Sequence, residues 1–65
     1  MRVRTEEKRE EIIRIAAELF QENGFERTSM STISERLGGS KATLYGYFKS
    51  KEDLLLAVVH HDVPE

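Results

Sequence analysis

Two consecutive glycines, Gly38-Gly39, fall between two short stretches of helical apolar spacing, and this break constrains the fold more than any other feature. Upstream of it, Met30, Ile33 and Leu37 recur at i, i+3 and i+7, which predicts a helix over about 29–37. Downstream, Leu44 and Phe48 are four residues apart and share one face of a helix of about two turns. A glycine readily takes the left-handed conformation that ends one helix and redirects the chain into the next. Ser40 stands where it caps the second helix, with Thr43 at its third position. A tight connection between two short helices is the helix-turn-helix pattern, placed here at about residues 29–48.

The flanking segments supply the body on which such a motif rests. Thr5 to Asn23 reads as a long amphipathic helix, with Thr5 as candidate N-cap and Glu6 and Glu7 in the first turn, favoured by the helix dipole. Ile12, Ile13, Ala16, Leu19 and Phe20 form its apolar stripe, widened by Ile15 and Ala17. On its wet side Glu10, Arg14 and Glu18 are spaced to pair, each pair being worth a few tenths of a kcal/mol. Asn23-Gly24 ends this helix, and Phe25 supplies the apolar contact just beyond. The polar connector Glu26-Arg27-Thr28-Ser29 offers Thr28 or Ser29 as the next cap. Ser50 opens a fourth helix, with Asp53 in the place of the usual Glu of a capping box. Leu54, Leu55, Ala57, Val58 and Val59 are too apolar for a free surface helix, so some must pack on the first helix and others on residues outside this sequence. The chain stops at Val63-Pro64-Glu65 with that helix barely finished and looks cut. The expected fold class is all-α: a three-helix, homeodomain-like helix-turn-helix domain plus the start of a fourth helix.

Sixty-five residues allow one small domain, and chains of that size bury only roughly 60% of their unfolded surface. The absence of cysteine removes disulfides and thiolate metal sites and suits a reducing, cytoplasmic setting. Neither a signal-peptide apolar region nor a run approaching the roughly 20 apolar residues of a membrane span is present. His60-His61 are adjacent, point about 100° apart on a helix and do not chelate as an i, i+4 pair would, so no metal is expected. With no thiol, no helical histidine pair and no glycine-rich phosphate loop after a strand, nothing supports an enzyme or a cofactor site.

The face of the third helix opposite Leu44 and Phe48 carries the chemistry. Lys41, Thr43, Tyr45 and Tyr47 form a set of donors with aromatic bodies, suited to phosphates and base edges of duplex DNA. The net charge of −2 argues against a nucleic-acid binder taken globally, but its distribution does not. From Arg36 to Lys51 there are four basic residues (Arg36, Lys41, Lys49, Lys51) and no acidic one, while the acids crowd the first third of the chain. A positive face steers a phosphate backbone even under a slightly negative sum, with strong salt dependence. Lys51, in the first turn of the fourth helix, opposes the dipole and so suits a place where an anion visits. Ser29, Ser31 and Thr32 read first as caps and polar surface, and in a helix-turn-helix they are also placed to bond a phosphate. The rival reading is a small helical protein–protein interaction module that docks through the Tyr45/Tyr47 face, supported by the negative total charge and the apolar fourth helix.

Gly24-Phe25, Thr28-Ser29-Met30-Ser31-Thr32-Ile33 and the run from Gly38 to Leu54, with its Thr43-Leu44-Tyr45-Gly46-Tyr47-Phe48-Lys49-Ser50-Lys51-Glu52 core, resemble the N-terminal domain of the tetracycline-repressor (TetR) family. The resemblance covers the chain from about Glu6 to Val59. It implies a ligand-responsive transcription regulator, dimeric when full length, that reads a near-palindromic operator in double-stranded DNA. The C-terminal domain, which holds the small-molecule inducer and the dimer interface, would lie outside these residues, leaving this chain monomeric on its own. Residue by residue, the resemblance puts Ser29 and Ser31 at phosphate or base, Ser40 at the cap, and Lys41, Ala42 and Thr43 at the base-reading start of the recognition helix. It puts Tyr45 and Tyr47 at backbone and base, and Lys51 at a phosphate. Three positions depart from the family pattern: Gly39 for a small apolar residue, which Leu37 is placed to compensate, Gly46 for a larger DNA-facing residue, and Ala42 for a frequent glycine.

Overall fold

The computed structural model describes residues 4–62; Met1 to Val3 and Val63-Pro64-Glu65 lie outside the described residues, as do the side chains of Arg4, Thr5, His61 and Asp62. Four helices follow one another: α1 (Arg4–Asn23), α2 (Met30–Leu37), α3 (Lys41–Tyr47) and α4 (Lys51–Asp62). No strand occurs among the described residues, and the fold is all-α as the periodicity predicts. Each helix sends one fully buried aliphatic side chain into a shared core: Ile12, Ile33, Leu44 and Leu54 are all 0% exposed. Ile13, Ala16, Leu19, Met30, Phe48 and Val58 complete that core. The first helix is its floor, with α2 and α4 packed on it and α3 packed on α2.

The helix ends follow from local chemistry. Gly24 takes φ 86° and its amide donates to the Phe20 carbonyl at 2.8 Å, closing α1 in the left-handed manner expected. The Phe25 ring then folds back on Phe20, with centroids 5.2 Å apart. Gly38 repeats the device at φ 85°, its amide donating to the Ser34 and Glu35 carbonyls. The third helix is shorter than its apolar spacing implies, because Ser40 and Phe48 are its extended flanking residues and not its first and last turns. At the start of α1 the helix already includes Arg4, so Thr5 falls inside it and not at the cap. The capping box of α4 is half made: Ser50 Oγ accepts from the Asp53 amide at 3.1 Å, and no return bond from the Asp53 carboxylate is seen among the described residues. Asp is one methylene shorter than the Glu that normally makes that return.

Thr28 and Ser29, offered by the sequence as alternative caps, divide the work. Ser29 caps α2, its Oγ accepting from the Thr32 amide at 3.1 Å. Thr28 is buried, with its hydroxyl 2.8 Å from the Gly24 carbonyl and 3.2 Å from the Leu19 carbonyl. One hydroxyl proton serves one of these acceptors at a time, and either choice ties the α1–α2 turn to the end of α1. Among the described residues the Arg14–Glu18 pair that the spacing allows is not formed; Glu18 and Glu22 instead reach across to Arg36 on α2, at 3.9 and 3.4 Å. Replacing Thr28 with valine keeps the volume and removes the bond, so urea unfolding should show a loss of about 1–3 kcal/mol.

Candidate nucleic-acid interface

The third helix has seven residues and buries one of them, Leu44. Lys41, Ala42, Thr43, Tyr45 and Gly46 are exposed, and so is the cap Ser40. Tyr45 is 47% exposed, a large aromatic held in solvent. Tyr47 is half-buried and packs against the core beside Phe48. The two tyrosines therefore do not form one matched pair: Tyr45 is exposed, while Tyr47 is partly taken up by the core.

The caps of α2 and α3 are built alike. Ser29 Oγ accepts from the Thr32 amide and lies 3.0 Å from Thr32 Oγ1; Ser40 Oγ accepts from the Thr43 amide at 3.2 Å and lies 3.1 Å from Thr43 Oγ1. In each hydroxyl pair one proton is used between the partners and the other remains for an outside acceptor. Capping and phosphate binding are thus compatible at both helix starts, where the backbone amides add positive partial charge. Ser31 is half-buried in the first turn of α2, next to this pair.

The basic residues sort differently from the sequence pattern. Lys41 and Lys49 are exposed. Among the described residues no carboxylate lies within ion-pair distance of either. Arg36 does not extend this positive surface as its place in the basic stretch implies, because the carboxylates of Glu18 and Glu22 hold it against α1. Lys51 is half-buried: its Nζ donates to the Phe25 carbonyl at 2.7 Å and sits 4.3 Å over the Phe25 ring. A cation in the first turn of α4 is therefore tolerated through an intramolecular acceptor, and a visiting anion is not needed to explain it. Arg9, read as part of a scaffold helix, lies 5.3 Å over the Phe48 ring and lines an open cleft with Tyr47, Lys49 and His60. Only tertiary packing reveals that placement, since nothing local to α1 pairs Arg9 with residues about forty positions on. Among the described residues no group of three or more histidine, cysteine or acidic side chains is placed to hold a metal ion. No helix of the described residues is long and apolar enough to cross a membrane.

Gly39 and its neighbours account for the tight turn before α3. The nearest atom to a Cβ built on Gly39 would be Leu37 Cδ2 at 4.0 Å, so Leu37 borders the space beside Gly39 and leaves room for a small side chain there. A short helix, a left-handed glycine, a second short helix held by one leucine and an outward donor face define a helix-turn-helix domain. The family profile described as bacterial regulatory proteins, tetR family, matches residues 12–58, and the chain belongs to that family. It is 43% identical over 63 residues to HTH-type transcriptional regulators of Staphylococcus aureus strains USA300 and N315, a match that covers 97% of this chain and 34% of each relative. A transcriptional regulator of the TetR/AcrR family from Thermobifida fusca, known from a crystal structure, superposes with a TM-score of 0.82 at 47% identity, over 85% of this chain and 30% of that one. The chain thus spans about a third of the length of the relatives it matches.

The Lys51 contacts carry a stability consequence that needs no DNA. Lys51→Ala should lower the unfolding free energy by about 1–2 kcal/mol in urea, from one charge-assisted bond and one cation–π contact at a half-exposed site.

Proposed function

We propose that this domain binds double-stranded DNA sequence-specifically, with α3 in the major groove, as the reading head of a transcription regulator. The observation that carries the reading is the outward face of α3, where Ser40, Lys41, Thr43 and Tyr45 are exposed while Leu44 alone is buried. Lys41 and Thr43, in the first turn, reach base edges, and Ala42 offers a methyl to a thymine methyl. Ser40 and the Ser29–Thr32 pair donate hydroxyl protons to phosphates on either side, with Ser31 beside them. Tyr45 and Tyr47 contact backbone and base from the second half of the helix. Lys51 exchanges the Phe25 carbonyl for a phosphate when the duplex arrives, which costs little because a charged donor keeps an acceptor throughout.

In the whole regulator, a further domain supplies the dimer contact and binds a small-molecule inducer that lowers operator affinity, giving a cytoplasmic, ligand-responsive repressor. Two copies then read the half-sites of a near-palindrome about one helical turn, roughly 34–36 Å, apart. Membership of a bacterial regulatory family supports this wider reading.

Titration of a duplex at rising salt tests the binding itself. Affinity should fall steeply and log-linearly, since each phosphate contact releases counterions, whereas an apolar protein-docking face would be nearly indifferent to salt. Lys41→Ala or Thr43→Ala should cost about 1–3 kcal/mol and change which sequences a random duplex pool yields. Lys51→Ala should weaken all sequences alike and reduce the salt slope by about one. Unchanged affinity in all three variants would overturn these assignments.

A further inference from the structure

Gly46 lies inside α3 with nothing among the described residues that requires a glycine there. Its φ is not positive; among the described residues that conformation belongs to Gly24 and Gly38. A Cβ built on Gly46 would meet no atom within 4 Å. Neither backbone geometry nor internal packing excludes a side chain, and glycine is after proline the residue least suited to a helix interior. In a helix of seven residues, too short to be stable by itself, that is an expensive choice.

Its position supplies a reason. Successive helical residues turn by about 100°, so Gly46 lies about 160° around the axis from the buried Leu44, on the outermost line of the helix. Ala42, one turn earlier, shares that line. The longer groups flank it, Lys41 and Tyr45 on one side, Thr43 and Tyr47 on the other. The major groove is about 12 Å wide, and a helix with its side chains is about 10–12 Å across, so the fit leaves little clearance. A recognition helix bare along its outermost line sits deeper and brings its two flanks toward the two walls of the groove.

Building on the DNA-binding reading above, we infer that Gly46 is a specificity-determining position. Its missing side chain lets the α3 backbone seat against the base edges, and it thereby sets how far Lys41, Thr43 and Tyr45 reach. The opposing account is that Gly46 simply forgoes a contact, in which case a longer side chain there strengthens binding.

The two accounts part on a pair of variants. The chain is first used to select duplexes from a random pool, and the recovered duplex is the probe for wild type, Gly46→Ala and Gly46→Arg. Gly46→Ala should raise the melting temperature of the free domain by about 4–8 °C while weakening binding by about tenfold or more. Gly46→Arg should bind more weakly still. Binding by Gly46→Ala as tight as wild type, tighter binding by Gly46→Arg, or a lowered melting temperature for Gly46→Ala would each overturn the inference. Failure of the wild-type chain to bind any duplex in a salt-dependent way is a separate result, seen before the variants are compared, and it removes the DNA reading together with this one.

Discussion

The outward donor face depends on the burial of Leu44. Helices shorter than about 12–15 residues are marginal in water, and α3 has seven. It persists because Leu44 is fully buried among α1, α2 and α4 side chains, Phe48 is buried just past its end, and Ser40 satisfies an amide at its start. With one fully buried side chain as its root and Tyr47 half-buried beside it, the helix has most of its circumference left for solvent. That geometry is what makes a short helix useful for insertion: little of it is spent on the core, and its orientation is still fixed by two buried groups.

Those two groups only fix the orientation if the neighbouring turns are rigid, and the turns are tied accordingly. Gly24 and Gly38 end their helices in the same left-handed way, and the intervening turn is stapled by the Thr28 hydroxyl to the end of α1. Lys51 adds a second staple from the first turn of α4 to the Phe25 carbonyl, and the Phe25 ring contacts both its ammonium and Phe20. The α1–α2 turn, α4 and the recognition helix are therefore linked through contacts that Lys51 and Phe48 share with α1 and its turn. On α4, Leu56 and Val59 remain more than half exposed, and Leu56 lines the cleft that Arg9, Tyr47 and Lys49 share.

Much of this was legible in the sequence because the signals are local. The glycine breaks, the Ser40 and Ser50 caps, and the spacing of Leu44 and Phe48 each depend on a few neighbouring residues, and all fall where the pattern places them. Spacing also implies that at least one of Tyr45 and Tyr47 is exposed, since residues two apart on a helix cannot both join Leu44 in the core, and packing decides that it is Tyr45. What escaped was decided across the chain. Arg36 looked like part of a basic surface until α1 brought Glu18 and Glu22 beside it. Lys51 looked like a cation awaiting an anion, while its partner was a backbone carbonyl 26 residues away, which no side-chain pattern encodes. Arg9 gained its aromatic neighbour from the packing of α1 against Phe48, the residue that ends α3. The choice between Thr28 and Ser29 as cap was likewise settled by burial, which turns the Thr28 hydroxyl to the end of α1 and leaves the serine at the surface.

The electrostatics narrow to a few groups. With Arg36 paired to α1 and Lys51 internally engaged, the exposed cations near α3 among the described residues are Lys41, Lys49 and Arg9, and in the proposed reading the hydroxyl pairs at the two helix starts share the work of meeting phosphate. Amide chemical-shift mapping by NMR, with a selected duplex added stepwise, tests most directly whether this surface is the one that meets DNA. The account predicts that the largest shifts cluster at residues 29–32 and 40–47, with the outer face of α1 around Glu18 and Glu22 undisturbed. Shifts centred instead on Leu56 and Val59 of α4, with 40–47 unmoved, would contradict it.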